Sequence, residues 1–227
     1  MLYPAVGSIG AIIMAAGASR RMGHRPKSLL AREGEPLLLR QARLLRQAGI
    51  RHTVAVLGHH AERIVPVLRQ AHAFPATPTV TDADAHATSG LYWVINPTPD
   101  VGPGSSLRCG LSVLPPELSA VMVMLGDQPL LEAEDITALL AAWRTRSASA
   151  ELVMPEHDGH LGHPIIFSPV VRQAVVQQTG CAGVREWRHA HPDRVYLLPV
   201  AHARYTTDVD TPQDIERLRV QTGVVLD

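Results

Sequence analysis

The segment Ile9–Ala15 is a short apolar run that ends in small residues and Gly17, the pattern of a strand buried on both faces. It opens a series that limits the fold severely. Strand-like runs at Ile9–Ala15, His52–Leu57, Leu91–Ile95, Ala120–Leu125, 151–154 and 195–198 alternate with stretches of helical spacing. The helical stretches are 37–48, 61–71, 105–114, 135–144, 170–177, 182–189 and 212–220. Gly49 stops the first of these helices and Pro212 starts the last. Alternation of this kind demands right-handed crossovers, so the expected fold is α/β, with a mainly parallel sheet covered by helices on both faces. Ligands of such sheets bind beyond the carboxyl ends of the strands. The residues least suited to plain turns gather there, after Ala15, after Ile95 and after Leu125.

A chain of 227 residues suits one large α/β domain. With 46% hydrophobic and 19% charged residues it reads as globular. The formal net charge is zero, which gives no general pull toward nucleic acid or an anionic membrane. No apolar run approaches the ~20 residues that span a bilayer, and no signal peptide is expected. Two cysteines, Cys109 and Cys181, read as reduced thiols of a cytoplasmic protein. Residues 72–90 show no clear period, and a short strand at 79–81 is the element expected there.

Five motifs carry chemistry. The first is Ala15-Ala16-Gly17-Ala18-Ser19-Arg20-Arg21-Met22-Gly23, followed by Pro26-Lys27. Small residues let backbone N–H groups approach phosphate oxygens, and Arg21 and Lys27 can neutralise a triphosphate. The glycine spacing is that of neither a Walker loop nor a dinucleotide fingerprint. The second is Gly126-Asp127-Gln128-Pro129-Leu130, in which Asp127 stands at the end of a buried strand. There it can meet Mg²⁺, which takes few protein carboxylates and fills its shell with phosphate oxygens; helix capping is the plainer alternative. The third is Asp208-Val209-Asp210-Thr211-Pro212-Gln213-Asp214, where Asp210 is either a helix cap or a second carboxylate for a metal. The fourth, Gly102-Pro103-Gly104-Ser105-Ser106-Leu107-Arg108-Cys109-Gly110-Leu111, opens a helix with two serines, an arrangement friendly to anions. The fifth is Gly162-His163-Pro164. His157, His160 and His163 are three apart, but Gly159 and Gly162 break a helical face and no cysteine is near, so zinc is not expected. His59 and His60, like His189 and His191, read as solvent-exposed.

Together these motifs resemble, in order, those of the molybdenum-cofactor nucleotidyltransferases and their sugar-nucleotidyltransferase relatives. Ala15-Ala16 and Gly126-Asp127-Gln128-Pro129 look more like the cytidylyltransferase branch. The resemblance covers nearly the whole chain. It implies a single Rossmann-like, three-layer α/β/α nucleotidyltransferase domain over 1–227. The NTP-binding part would be about 9–130, and the acceptor-binding and metal-closing part about 131–220. It implies catalytic roles for Arg21, Lys27 and Asp127. Nucleotide contacts would come from Ala15, Ala16, Gly17, Ser19, Arg21, Lys27, Asn96, Ser105, Ser106 and Asp127, and acceptor contacts from His163 and Pro164. Mg²⁺ would be held by Asp127 and Asp210, with Asp208 the second choice. The expected substrates are an NTP, CTP favoured, and a phosphorylated acceptor, molybdopterin favoured, with a molybdenum hydroxylase as client. A sister enzyme with another NTP or a sugar or polyol phosphate, and a cofactor-delivery protein without turnover, are the competing readings.

Overall fold

Alternate residues of the first strand face opposite layers of helices. The computed structural model describes residues 8–75 and 90–227; the strand expected at 79–81 lies outside them. The elements in chain order are β1 (Ile9–Ala15), β2 (Ala31–Arg32), β3 (Glu35–Pro36), α1 (Leu37–Gln47), β4 (His52–Leu57), α2 (Ala61–Gln70) and β5 (Phe74–Pro75). Next come β6 (Leu91–Ile95), α3 (Pro103–Val113), β7 (Ala120–Leu125), α4 (Ala133–Thr145), β8 (Leu152–His157), β9 (His160–Leu161) and β10 (Ile165–Phe167). The chain continues through α5 (Pro169–Gln177), α6 (Val184–Ala190), β11 (Val195–Pro199) and α7 (Pro212–Thr222).

Ala11 and Ile13 of β1 join the core formed with α1, α2 and α4, whereas Ile12 joins the core formed with α3, α5 and α6. All three are fully buried, and an isoleucine so placed contributes about 1.5–3 kcal/mol. This two-sided burial is why the strand sequence is apolar throughout rather than alternating. A third, smaller cluster joins Met22, Leu30 and Leu37 to Val209, Leu218 and Leu226, fastening the chain's last segment against the loop after β1.

The main sheet runs in the order β5-β6-β4-β1-β7-β10-β8-β11, with β9 beside β8. Its parallel part comprises β5, β6, β4, β1 and β7, and β11 is parallel to β8. Only β10 and β9 run against their neighbours. From β1 the chain builds outward through β4 and β6, then returns to place β7 on the other side of β1. The reversal makes a crevice at the carboxyl ends of β1 and β7, where such sheets bind ligands. Among the described residues, no helix is long and apolar enough to cross a membrane. Cys109 and Cys181 are both free.

Candidate active site

The loop leaving β1 turns at once. Ser19 adopts a left-handed conformation (φ 48°), and its carbonyl accepts from the backbone N–H groups of Met22 (2.9 Å) and His24 (3.1 Å). Gly23, at φ 60°, ends the short helical turn. The loop and the end of β7 enclose a cavity of about 280 Å³, lined among others by Ala15, Gly17, Ser19, Lys27, Ser106 and Asp127. A side chain added at Gly17 would meet nothing within 4 Å. The protein's own packing therefore does not require glycine there; the open space suits a ligand pressed against the backbone. Gly58 differs, because its Cβ would come within 2.6 Å of the Ala16 carbonyl, so this glycine serves the close approach of two loops.

Lys27 sits between two carboxylates. Its Nζ lies 2.5 Å from Asp127 Oδ2 and 2.7 Å from Asp210 Oδ1, and Arg21 reaches Asp210 Oδ2 at 2.5 Å. Burial by itself would lower the Lys27 ammonium, but the Asp127 charge, with the Asp210 bond, outweighs it and holds the group above its usual value. The hydrogen bond from Lys27, ahead of the Arg21 charge, holds Asp210 below the ordinary carboxylate range despite partial burial. Asp208 goes the other way: desolvation, then the charges of Asp127 and Asp210, push it up.

The capping alternatives fall away on geometry. Thr211 is the cap of α7, exchanging bonds with Asp214, and Glu132 with Asp135 forms the capping box of α4. Asp210 and Asp127 are thereby left to the Lys27 cluster. Val209 N donates to the Asp127 carbonyl at 3.2 Å, which brings the 208–210 segment alongside the end of β7.

The serine helix departs from expectation in detail. Its cap is Gly102, without a side-chain bond. Ser106 lines the cavity, but Asn96 and Ser105 do not. The buried Asn96 amide instead donates to Ser105 Oγ and Ser106 Oγ, both at 2.9 Å, so it braces the serines from behind. Arg21 and Asp210 adjoin Lys27 without lining the cavity. His163 and Pro164, joined by a cis peptide bond, lie before β10, where the His163 N–H donates to the Tyr205 carbonyl at 2.9 Å. Burial lowers the His163 imidazole to about 4, so it is neutral at physiological pH.

His60 corrects the sequence reading: it is 8% exposed, lines the cavity, and its Nε2 lies 3.0 Å from the Ala18 carbonyl, propping the loop. The apolar stretch before it gives no signal of this, because only the loop's return brings Ala18 to the ring. Among the described residues, no three His, Cys, Asp or Glu groups are arranged to hold a metal ion. Asp127 and Asp210 supply two hard oxygen donors, as few as Mg²⁺ needs when phosphate oxygens fill the rest of its shell. Two carboxylates are a donor set for a hard divalent cation that shares phosphate oxygens, and in this structure Lys27 and Arg21 hold those carboxylates.

The cavity lies at the carboxyl ends of β1 and β7 with Lys27, Asp127 and the open face of Gly17 on it, and the class that this site and the fold define is that of the nucleotidyltransferases. The chain belongs to the MobA-like NTP transferase family, whose model matches residues 11–195. It is 32% identical over 178 residues to the bifunctional protein GlmU of Mycobacterium ulcerans (strain Agy99), a match covering 76% of this chain and 33% of that protein. The chain therefore spans about a third of the length of the curated relatives it matches. The crystal structure of Rv0371c from Mycobacterium tuberculosis H37Rv in complex with manganese superposes with a TM-score of 0.69 at 26% identity, over 95% of this chain and 100% of that one. A nucleotidyl transferase from Methanothermobacter thermautotroptrophicus reaches 0.70 at 18% identity, over 94% and 96% of the two chains, a likeness of fold alone.

Proposed function

We propose that the protein is a Mg²⁺-dependent cytidylyltransferase that transfers CMP from CTP to molybdopterin and releases pyrophosphate. The observation that carries the transfer chemistry is the Lys27 ammonium held between Asp127 and Asp210 beside the open face of Gly17. The choice of CTP and molybdopterin rests on the resemblance of Ala15-Ala16 and Gly126-Asp127-Gln128-Pro129 to the cytidylyltransferase branch. A client molybdenum hydroxylase and a cytoplasmic setting go with that reading, and two free cysteines agree with the second.

The reaction needs positioning and charge neutralisation more than acid–base chemistry. A terminal phosphate oxygen of the acceptor attacks the α-phosphorus in line; the new P–O bond forms as the bond to the bridging oxygen breaks, and pyrophosphate carries away the electron pair. No protein base is required, because a phosphate monoester is largely deprotonated near neutrality. Mg²⁺, held by Asp127 and Asp210, would supply charge neutralisation at the phosphate oxygens. Lys27, kept protonated by its two carboxylates, holds β- and γ-phosphate charge together with Arg21. The backbone of 15–19 receives the nucleotide, and the neutral imidazole of His163 offers its single ring N–H to the acceptor.

Pyrophosphate release with molybdopterin and Mg²⁺, with CTP, GTP, ATP and UTP in parallel, tests the proposal. Release with CTP alone is expected. Release with another NTP moves the base assignment. No release with molybdopterin, but release with a sugar or polyol phosphate, overturns the acceptor.

A further inference from the structure

The Tyr205 carbonyl is a meeting point that the chemistry above does not use. Gln128, the residue after Asp127, is 2% exposed, and its side-chain Nε2 donates to that carbonyl at 2.7 Å. The main-chain N–H of His163 donates to the same oxygen at 2.9 Å. On the third side stands Gly162, whose Cβ, were it present, would lie 2.5 Å from the oxygen. Tyr205 is itself anchored: it is 2% exposed, and its hydroxyl donates to the Asp135 carbonyl at 3.2 Å. Gln128 is held from behind, where Gln41 Nε2 donates to its backbone carbonyl at 2.5 Å.

Two ties therefore join the end of β7 to the segment carrying Asp210. One is main-chain, Val209 N to the Asp127 carbonyl at 3.2 Å, and the other is the Gln128 side chain to the Tyr205 carbonyl. Each spans the same pair of segments, four residues apart on one and adjacent on the other. Two such ties fix register and separation, where one would leave a pivot.

Stability alone does not account for the glutamine. Its Oε1 is buried and has no hydrogen-bond partner among the described residues. Burying an amide costs free energy that an apolar residue of the same shape does not incur, so packing by itself is served as well by the apolar residue. An apolar residue would leave the Tyr205 carbonyl to the His163 main-chain N–H alone and remove the tie to the end of β7.

We propose that Gln128 is a positioning residue: through the Tyr205 carbonyl it sets the separation of the Asp127 and Asp210 carboxylates, and with it the affinity of the nucleotide-loaded site for a divalent cation. This rests on the reading of Asp127 and Asp210 as metal-holding groups. Residues one shell out from a metal commonly change affinity by about 10–100-fold when altered.

The test is a Mn²⁺ titration followed by electron paramagnetic resonance, with CTP and in turn GTP, ATP and UTP present and no acceptor, on the wild type, Gln128→Met and Gly162→Ala. Gln128→Met removes the donor with little change of shape. Gly162→Ala displaces the carbonyl from the opposite side and stands in if the first variant does not fold. Both are expected to weaken Mn²⁺ binding about tenfold, while the affinity for CTP measured without metal stays at the wild-type value. A folded variant that binds Mn²⁺ as the wild type does overturns the role of Gln128. A wild type that binds no Mn²⁺ with any of the four NTPs sinks the metal reading on which the inference stands.

Discussion

The two halves of the sheet are built on different rules. In the nucleotide half, β1, β4, β6 and β7 are parallel neighbours in unbroken register, and the site residues ride on the ends of those strands. In the other half β10 runs antiparallel to both of its neighbours, and the pieces are held by side chains that reach across to backbone carbonyls. Arg172 of α5 donates to the carbonyls of Leu111, Leu114 and Pro115, at 2.9, 2.7 and 2.6 Å. Arg108 of α3 donates to the carbonyls of Gly180 and Ala182. Where the ladder sets position, side chains are free to serve a ligand. Beyond the ladders side chains become structural, and in the nucleotide half this is confined to the loops at the strand ends, where His60 holds the Ala18 carbonyl and Arg32 that of Pro129.

That contrast can be broken from either side. Gly17→Val lies in the nucleotide half, facing open space. It should raise the KM for NTP about a hundredfold, roughly 2.7 kcal/mol, with an unchanged melting temperature. A large loss of stability instead would show that packing, not the ligand, requires the glycine. Arg172→Met should do the reverse. Leaving carbonyls unpaired costs about 2 kcal/mol, which for a domain of this size lowers the melting temperature by about 4–8 °C, while the KM for NTP is unaltered. A shifted KM with an intact melting temperature would erase the distinction between the halves.

The smallest effect concerns pH. His163 titrates at about 4 in the folded protein against an ordinary 6.5, so the unfolded chain takes up the proton first as pH falls. The folded state therefore loses stability from about pH 6.5 downward, and the loss is complete below about 4. In His163→Gln, denaturant melts across that window should fall less steeply than in the wild type. Equal slopes would mean that the ring is hydrated rather than buried.

The same contrast decides what could be read without a structure. β1, β4, β6 and β7 begin and end where the sequence places them, because burial on both faces keeps them almost wholly apolar, His52 and Thr53 at the start of β4 being the exceptions. The starts of α1, α2 and α7 fall where expected, whereas those of α3 and α4 come two residues early. α3 begins at Pro103 because Gly102 serves as its cap, and α4 begins at Ala133 because Glu132 and Asp135 form a capping box across an acidic turn. β2, β3 and β9 have two residues each and β10 three, too few to establish a period. Lys27, Asp127 and Asp210 stand out in the sequence because each is a charge in a setting that otherwise needs none, and the structure brings the three together. The bracing by Asn96, the burial of His60 and the hub at Tyr205 were not. Bonds from side chains to distant carbonyls follow no spacing, and a carbonyl looks alike in every residue.

The segment that brings Asp210 to Lys27 is fastened on both sides of it. Upstream is the Tyr205 carbonyl in its grip by Gln128; downstream, Leu226 is buried and Asp227 exchanges backbone bonds with Ala31, both at 3.0 Å. A chain pinned at two points has already given up most of the conformational freedom that would let its carboxylate wander. Asp210 consequently meets Lys27 as one end of a closed ring meets the other, at an effective concentration far above that of any free carboxylate in the cell.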